Sequence, residues 1–148
     1  MSAFVITLRT LLALVWVLLL AAGCTADPRR RAEAALRDGG AERLRHDAAR
    51  VYKDAFAGHK RVTFVEVWYK EWPVSFQELR PLHVGAYLDG ISIALRADER
   101  GESGLYIVPK TMEHQPTVEH GAKYERLADG VFWYSFRGPR TDGEAVRP

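Results

Sequence analysis

Asparagine is absent from the chain, and cysteine occurs once, at Cys24. The first absence rules out N-glycosylation, which needs an asparagine acceptor. The second rules out an intramolecular disulfide, so the fold must hold by burial alone. A lone thiol is also a liability in a small exported protein unless something consumes it. An excess of either charge is missing too: 21 Lys and Arg face 19 Asp and Glu, a net charge of +2. That balance offers no concentrated basic face of the kind nucleic acid requires, so no nucleic-acid partner is expected. No phosphate-binding glycine loop is present, and no cofactor is indicated. A chain of 148 residues is one domain's worth.

What the chain does have is an apolar beginning. Thr10 to Ala26 carries no charge, and Leu11 to Leu20 is aliphatic apart from Trp16. Arg9 precedes this run, and Ala21, Ala22 and Gly23 close it. Positive charge, ~7–15 apolar residues and small residues before a cut are the parts of a secretory signal. The stretch Leu20-Ala21-Ala22-Gly23-Cys24 resembles the lipobox of bacterial lipoproteins. It departs from the usual form in placing Ala21 where leucine is customary. The resemblance covers residues 1–25. It implies diacylglyceryl transfer to the Cys24 sulfur, cleavage between Gly23 and Cys24, and acylation of the new amine. Thr25, not being Asp, implies sorting to an outer membrane, with the domain facing the periplasm. Two or more acyl chains hold firmly, at ~0.8 kcal/mol per buried CH₂. An uncleaved anchor is the competing reading, because Phe4 to Leu8 lengthens the run towards the ~20 residues of a membrane span. Arg29, Arg30 and Arg31 also argue against the lipoprotein, since they lie on the side that must be exported whereas positive charge normally stays in the cytoplasm. An apolar anchor has no reason to end in Gly-Cys with the chain's sole cysteine, which favours the lipoprotein.

The remainder divides into a tether at 24–40, a small α+β domain at 41–138 and a polar, disordered tail at 139–148. Leu44, Ala48, Val51, Tyr52, Ala55 and Phe56 recur at helical spacing and predict an amphipathic helix that stops at Gly58. Val62 to Lys70 alternates with β-branched and aromatic residues, as a strand does. Ser75 to Glu78 reads as a capping box opening one short helical turn that Pro81 stops. Asp89-Gly90 predicts a two-residue hairpin turn, setting Leu88 opposite Ile91, Ala86 opposite Ile93, and Val84 opposite Leu95. It also places His83 opposite Arg96. Ala97 to Gly104 reads as a polar loop, and Leu105 to Val108 as a strand. A second turn at Asp129-Gly130 joins Tyr124–Ala128 to Val131–Arg137, with Arg126 facing Trp133 and Leu127 facing Phe132. The fold class expected is α+β: an N-terminal amphipathic helix packed on a mainly antiparallel sheet built from hairpins.

Candidate chemistry is sparse. Glu113, His114, Glu119 and His120 combine imidazole and carboxylate, the donors of a zinc site or an acid–base pair. Their spacing matches no metal motif. Gly101-Glu102-Ser103-Gly104 falls short of a nucleophile elbow and does not lead a strand into a helix. Aromatic residues are the stronger signal. Neighbours on a strand point to opposite faces, so Trp68 and Tyr69 cannot enter one core, nor can Trp133 and Tyr134. Either loops cover the second face, or aromatic groups lie exposed as a partner surface. Trp68, Trp72, Trp133 and Tyr134 are the partner-binding candidates. The expected function is a membrane-tethered, non-enzymatic envelope lipoprotein that binds an envelope protein. The alternatives are a metal-assisted hydrolase using the Glu/His loop, or a small-ligand carrier with an apolar cavity between helix and sheet.

Overall fold

The computed structural model describes residues 27–58, 62–99, 101–112, 116 and 122–137. Cys24, His59, the Glu113–His114 and Glu119–His120 pairs and the polar tail lie outside them. The architecture is α+β: helices and a six-stranded antiparallel sheet of order β1-β2-β3-β4-β6-β5. The strands are β1 (Phe64–Val67), β2 (His83–Tyr87), β3 (Gly90–Asp98), β4 (Gly101–Ile107), β5 (Lys123–Ala128) and β6 (Val131–Arg137). The helices are α1 (Pro28–Ala35), α2 (Gly40–Ala55) and the short α3 (Val74–Glu78), with a 3₁₀ turn at Tyr69–Glu71. Among the described residues, no helix is long and apolar enough to cross a membrane.

The helical layer and one sheet face share a core. Leu44, Ala48 and Val51 of α2 join Val84, Ala86, Ile91, Ile93, Leu105, Ile107 and Val131 in it. The other sheet face carries a second cluster: Tyr106, Val108, Phe132 and Tyr134, with Tyr87, Met112 and Tyr124 against it. α2 is tied down at its start by Arg45, whose guanidinium donates to Asp129 at 2.6 Å and to the Val108 carbonyl at 3.3 Å. The Arg45 side chain lies across Gly130, whose φ of 63° turns the chain between β5 and β6. A Cβ there would stand 2.4 Å from the Arg45 Nε.

Several sequence-based expectations need correction. Residues 28–35, in the stretch that the sequence reads as a tether with a helical part around Ala32 to Leu36, form a docked helix. Asp27 accepts the Arg29 amide N–H at 3.1 Å, Pro28 occupies the first turn, and Ala32 is fully buried. Its buried residue is an alanine, which makes a faint periodic signal. The first hairpin pairs Tyr87 with Gly90, Ala86 with Ile91, Val84 with Ile93 and His83 with Ala94. The turn residues are therefore Leu88 and Asp89, one step earlier than expected. Gly90 is needed in the strand instead, because a Cβ there would lie 2.6 Å from the Tyr106 ring and 2.8 Å from the Ile107 carbonyl oxygen. Asp89 is held by the Tyr106 hydroxyl, which donates to its carboxylate.

Residues 97–98 and 101–104, expected in a loop, are strand. β3 and β4 continue through them as a paired hairpin from Ala97↔Glu102 to Asp98↔Gly101. The ladder there runs past the core, where charged side chains such as Arg96 and Asp98 stay in solvent. The second hairpin turns at Asp129-Gly130 as expected, but an irregularity at Leu127 shifts its register. Arg126 consequently pairs with Phe132, and Glu125 with Trp133. Ser75 does not cap α3, which starts on Pro73 without a side-chain cap. Its hydroxyl donates to Asp47 of α2 at 2.6 Å, locking α3 to the helical layer.

Gly90→Ala should destabilise the fold by about 1–3 kcal/mol, the cost of forcing an extra methyl into a packed site. A lower denaturant midpoint with an unchanged slope checks this.

Candidate functional site

The partner-binding candidates separate in the fold. Strand alternation sends Trp133 to the helical side, where it packs partly buried against the main core. The Arg29 guanidinium lies 5.8 Å from its ring centroid. Arg29 also reaches Glu33 at 2.9 Å and Glu125 at 2.5 Å, and these two hydrogen bonds raise its pKa against a smaller lowering by burial. Tyr134 points the other way and is 6% exposed. Neither side chain belongs to a free surface. Of the β6 aromatics, Phe132 and Tyr134 belong to the second cluster and Trp133 packs against the main core.

Large apolar side chains are exposed on both sides of β2, at Leu82 and Leu88, and after β1. Trp68 is 71% exposed and Tyr69 63%, and Val74 nearby is 70% exposed. The chain cannot continue as a strand there, because the backbone closes a 3₁₀ turn with Glu71 N–H donating to the Trp68 carbonyl at 2.8 Å. Trp72 staples that turn: its indole N–H donates to the Val67 carbonyl at 2.8 Å, and its ring meets Tyr69 edge-on at 5.0 Å. Gln77 of α3 donates to the Trp72 carbonyl at 2.8 Å. The corner is thus a braced turn presenting an indole, a phenol and a valine. Trp68 and Trp72 are legible as candidates from sequence. Tyr69 and Val74 escape such a reading as surface residues, since a straight strand would turn Tyr69 inward with Val67.

A second arrangement has no counterpart in the sequence analysis. The Glu102 carboxylate accepts from the Tyr134 hydroxyl at 2.5 Å and pairs with His83 Nε2 at 3.1 Å. The three residues come from β2, β4 and β6, brought together by register. Burial alone would push the Glu102 carboxyl up, but the hydrogen bonds from His83 and Tyr134 outweigh it and hold the group below its ordinary value. Burial first, then the Glu102 charge, raises the Tyr134 phenol well above its usual range. The Glu102 side chain is 11% exposed and His83 32%. This network joins three strands through the buried Tyr134 and the partly buried Glu102 and His83; it presents no nucleophile. Ser103 of the Gly101–Gly104 sequence lies within β4, not on a turn.

Among the described residues, no group of three or more His, Cys, Asp or Glu is placed to hold a metal ion. An open groove of about 410 Å³ runs between α1 and β5. Arg29, Glu33, Arg37, Glu125 and Arg126 line it beside Leu36 and Leu127, so it is a charged cleft and not an apolar cavity. Compared with known proteins, the chain matches no family model, no curated protein and no solved structure.

Glu102 binds its proton more weakly in the fold than in the unfolded chain. Its stabilisation is therefore complete above the unfolded carboxylate range and is lost as pH falls through the lower folded value. Glu102→Gln should cost about 1–3 kcal/mol near neutral pH, the scale of a hydrogen bond to a charged group. The gap to wild type should narrow at acid pH, as thermal melts across the acid range would show.

Proposed function

We propose that this chain is a membrane-tethered, non-enzymatic envelope lipoprotein whose α+β domain docks a protein partner. The Leu20-Ala21-Ala22-Gly23-Cys24 stretch supports the tether, with Cys24 as the lipidated residue and Thr25 favouring the outer membrane on its periplasmic side. In this reading an N-terminal amphipathic helix packed on the hairpin-built sheet is the platform, and the docking surface is the corner at the end of β1. The observation that carries the docking role is the exposure of Trp68 and Tyr69, 71% and 63%, on a turn braced from behind by Trp72. Aromatic side chains have few rotatable bonds and so lose little conformational entropy when covered, and such residues dominate protein interfaces. Trp72 contributes by fixing the turn and not by contact.

Mass spectrometry of the N-terminus separates the possibilities for location. The lipoprotein reading requires a chain beginning at an acylated Cys24, and Cys24→Ser should leave an uncleaved, unlipidated product. An intact chain that retains Met1 in wild type rejects that reading. For docking, Trp68→Ala should lower the yield of in-cell protein crosslinks several-fold without shifting the melting temperature.

A further inference from the structure

Residues 27–38 hold four arginines and three acids, and the fold uses them unevenly. Arg29 is engaged twice, by Glu33 of its own helix and by Glu125 of β5. Asp27 accepts the Arg29 amide N–H at the helix start. Arg30, Arg31 and Arg37 make no ion pair with any described residue. The Arg31 Nε is buried without a hydrogen-bond partner. Asp38 is the one acid of the stretch left to offset three arginines.

The helix decides where those charges stand. Ala32 is sealed into the core, while Arg30, Ala34 and Arg37 recur at i, i+4 and i+7 and are all exposed, the spacing of one helical face. Arg37 lies in the turn that closes α1, its N–H donating to the Ala34 carbonyl at 3.2 Å. The face turned away from the core is a short basic stripe with an alanine between two arginines. Thr25 and Ala26 alone link Asp27 to Cys24. A linker that short clears little more than one headgroup layer, ~5–8 Å deep. Arg30 stands within about one helical turn, ~5.4 Å, of its end. Both lengths match the screening distance of ~8 Å at physiological ionic strength, so the stripe lies inside the field of whatever lipid holds the chain. Each arginine at an anionic surface strengthens attachment about five-fold.

We propose that the outer face of α1 lies against anionic phospholipid headgroups, with Arg30 and Arg37 donating to phosphate oxygens and Arg31 adding its charge. The inference rests on the lipoprotein reading, which supplies the tether. It adds an orientation: the α1 side of the domain faces the lipid, and the Trp68 corner, at the other end of the sheet from β5, is held away from it.

The test reconstitutes the lipidated chain, purified from its own membrane, into vesicles of phosphatidylcholine alone or mixed with phosphatidylglycerol. Ala34→Cys, labelled with an environment-sensitive maleimide dye, reports on the stripe. Glu66→Cys, exposed on β1, carries the same dye as a distant control, and Cys24 is blocked by its thioether in this reading. In the anionic vesicles the Ala34 label should shift to the blue and become several-fold less quenched by acrylamide, and added salt should reverse both changes. The Glu66 label should show neither. Arg30→Gln combined with Arg37→Gln should abolish the response at an unchanged melting temperature. Equal exposure of the Ala34 label in the two kinds of vesicle, or a shift that salt leaves in place, overturns the proposal while the lipoprotein reading stands. A wild-type chain whose Cys24 takes the dye and that fails to float with the vesicles overturns that reading and the inference with it.

Discussion

Successive residues of a β-strand point to opposite sides of its sheet, so a strand with apolar groups at consecutive positions needs cover on both. Val131, Phe132, Trp133 and Tyr134 of β6 impose this demand most strongly. Val131 and Trp133 go to the helical layer, while Phe132 and Tyr134 go to the second cluster with Tyr106 and Val108. Much of the remaining architecture meets that double requirement. On the second face Gly85 and Gly90 leave room for the Phe64 and Tyr106 rings of the neighbouring strands, and Gly104 lets the Ile93 backbone approach. Gly90 beneath Tyr106 is the tightest described instance to involve both ring and backbone.

This need for two covers explains how far sequence can be read. Strand identity is visible in β-branched and aromatic content, and the Asp129-Gly130 turn in its glycine. The displacement at Asp89-Gly90 is hidden because both residues are needed elsewhere. Asp89 accepts from Tyr106, and Gly90 makes room for its ring. Turn chemistry is local, while Tyr106 lies many residues away. The break at Leu127 is equally opaque, since one extra residue changes every later pair without altering composition. The length of the β3–β4 hairpin escapes for another reason. Beyond the core a strand has no apolar pattern to betray it, only backbone pairing.

The aromatic corner is half legible. Alternation would send Trp68 and Tyr69 to opposite faces, but the strand stops at Val67 and both are exposed at the 3₁₀ turn that follows. The Glu102–His83–Tyr134 network is not legible at all. Its members belong to different strands, and no spacing in the chain announces that they meet. Polar groups assembled in this way favour one register over its neighbours, because a slip leaves a carboxylate buried without donors. The network and the glycine floor thus specify the same alignment from different chemistry.

Helix α1 has a geometric consequence. Ala32 is sealed into the core and Arg29 is held against Glu125 and Trp133, so the chain is docked from the helix that Asp27 caps. Only Thr25 and Ala26 stand between it and Cys24. Even stretched taut, three peptide steps reach only about 11 Å at ~3.6 Å each. A domain anchored through that sulfur would ride low on the bilayer like a buoy on a short chain, able to turn but not to roam.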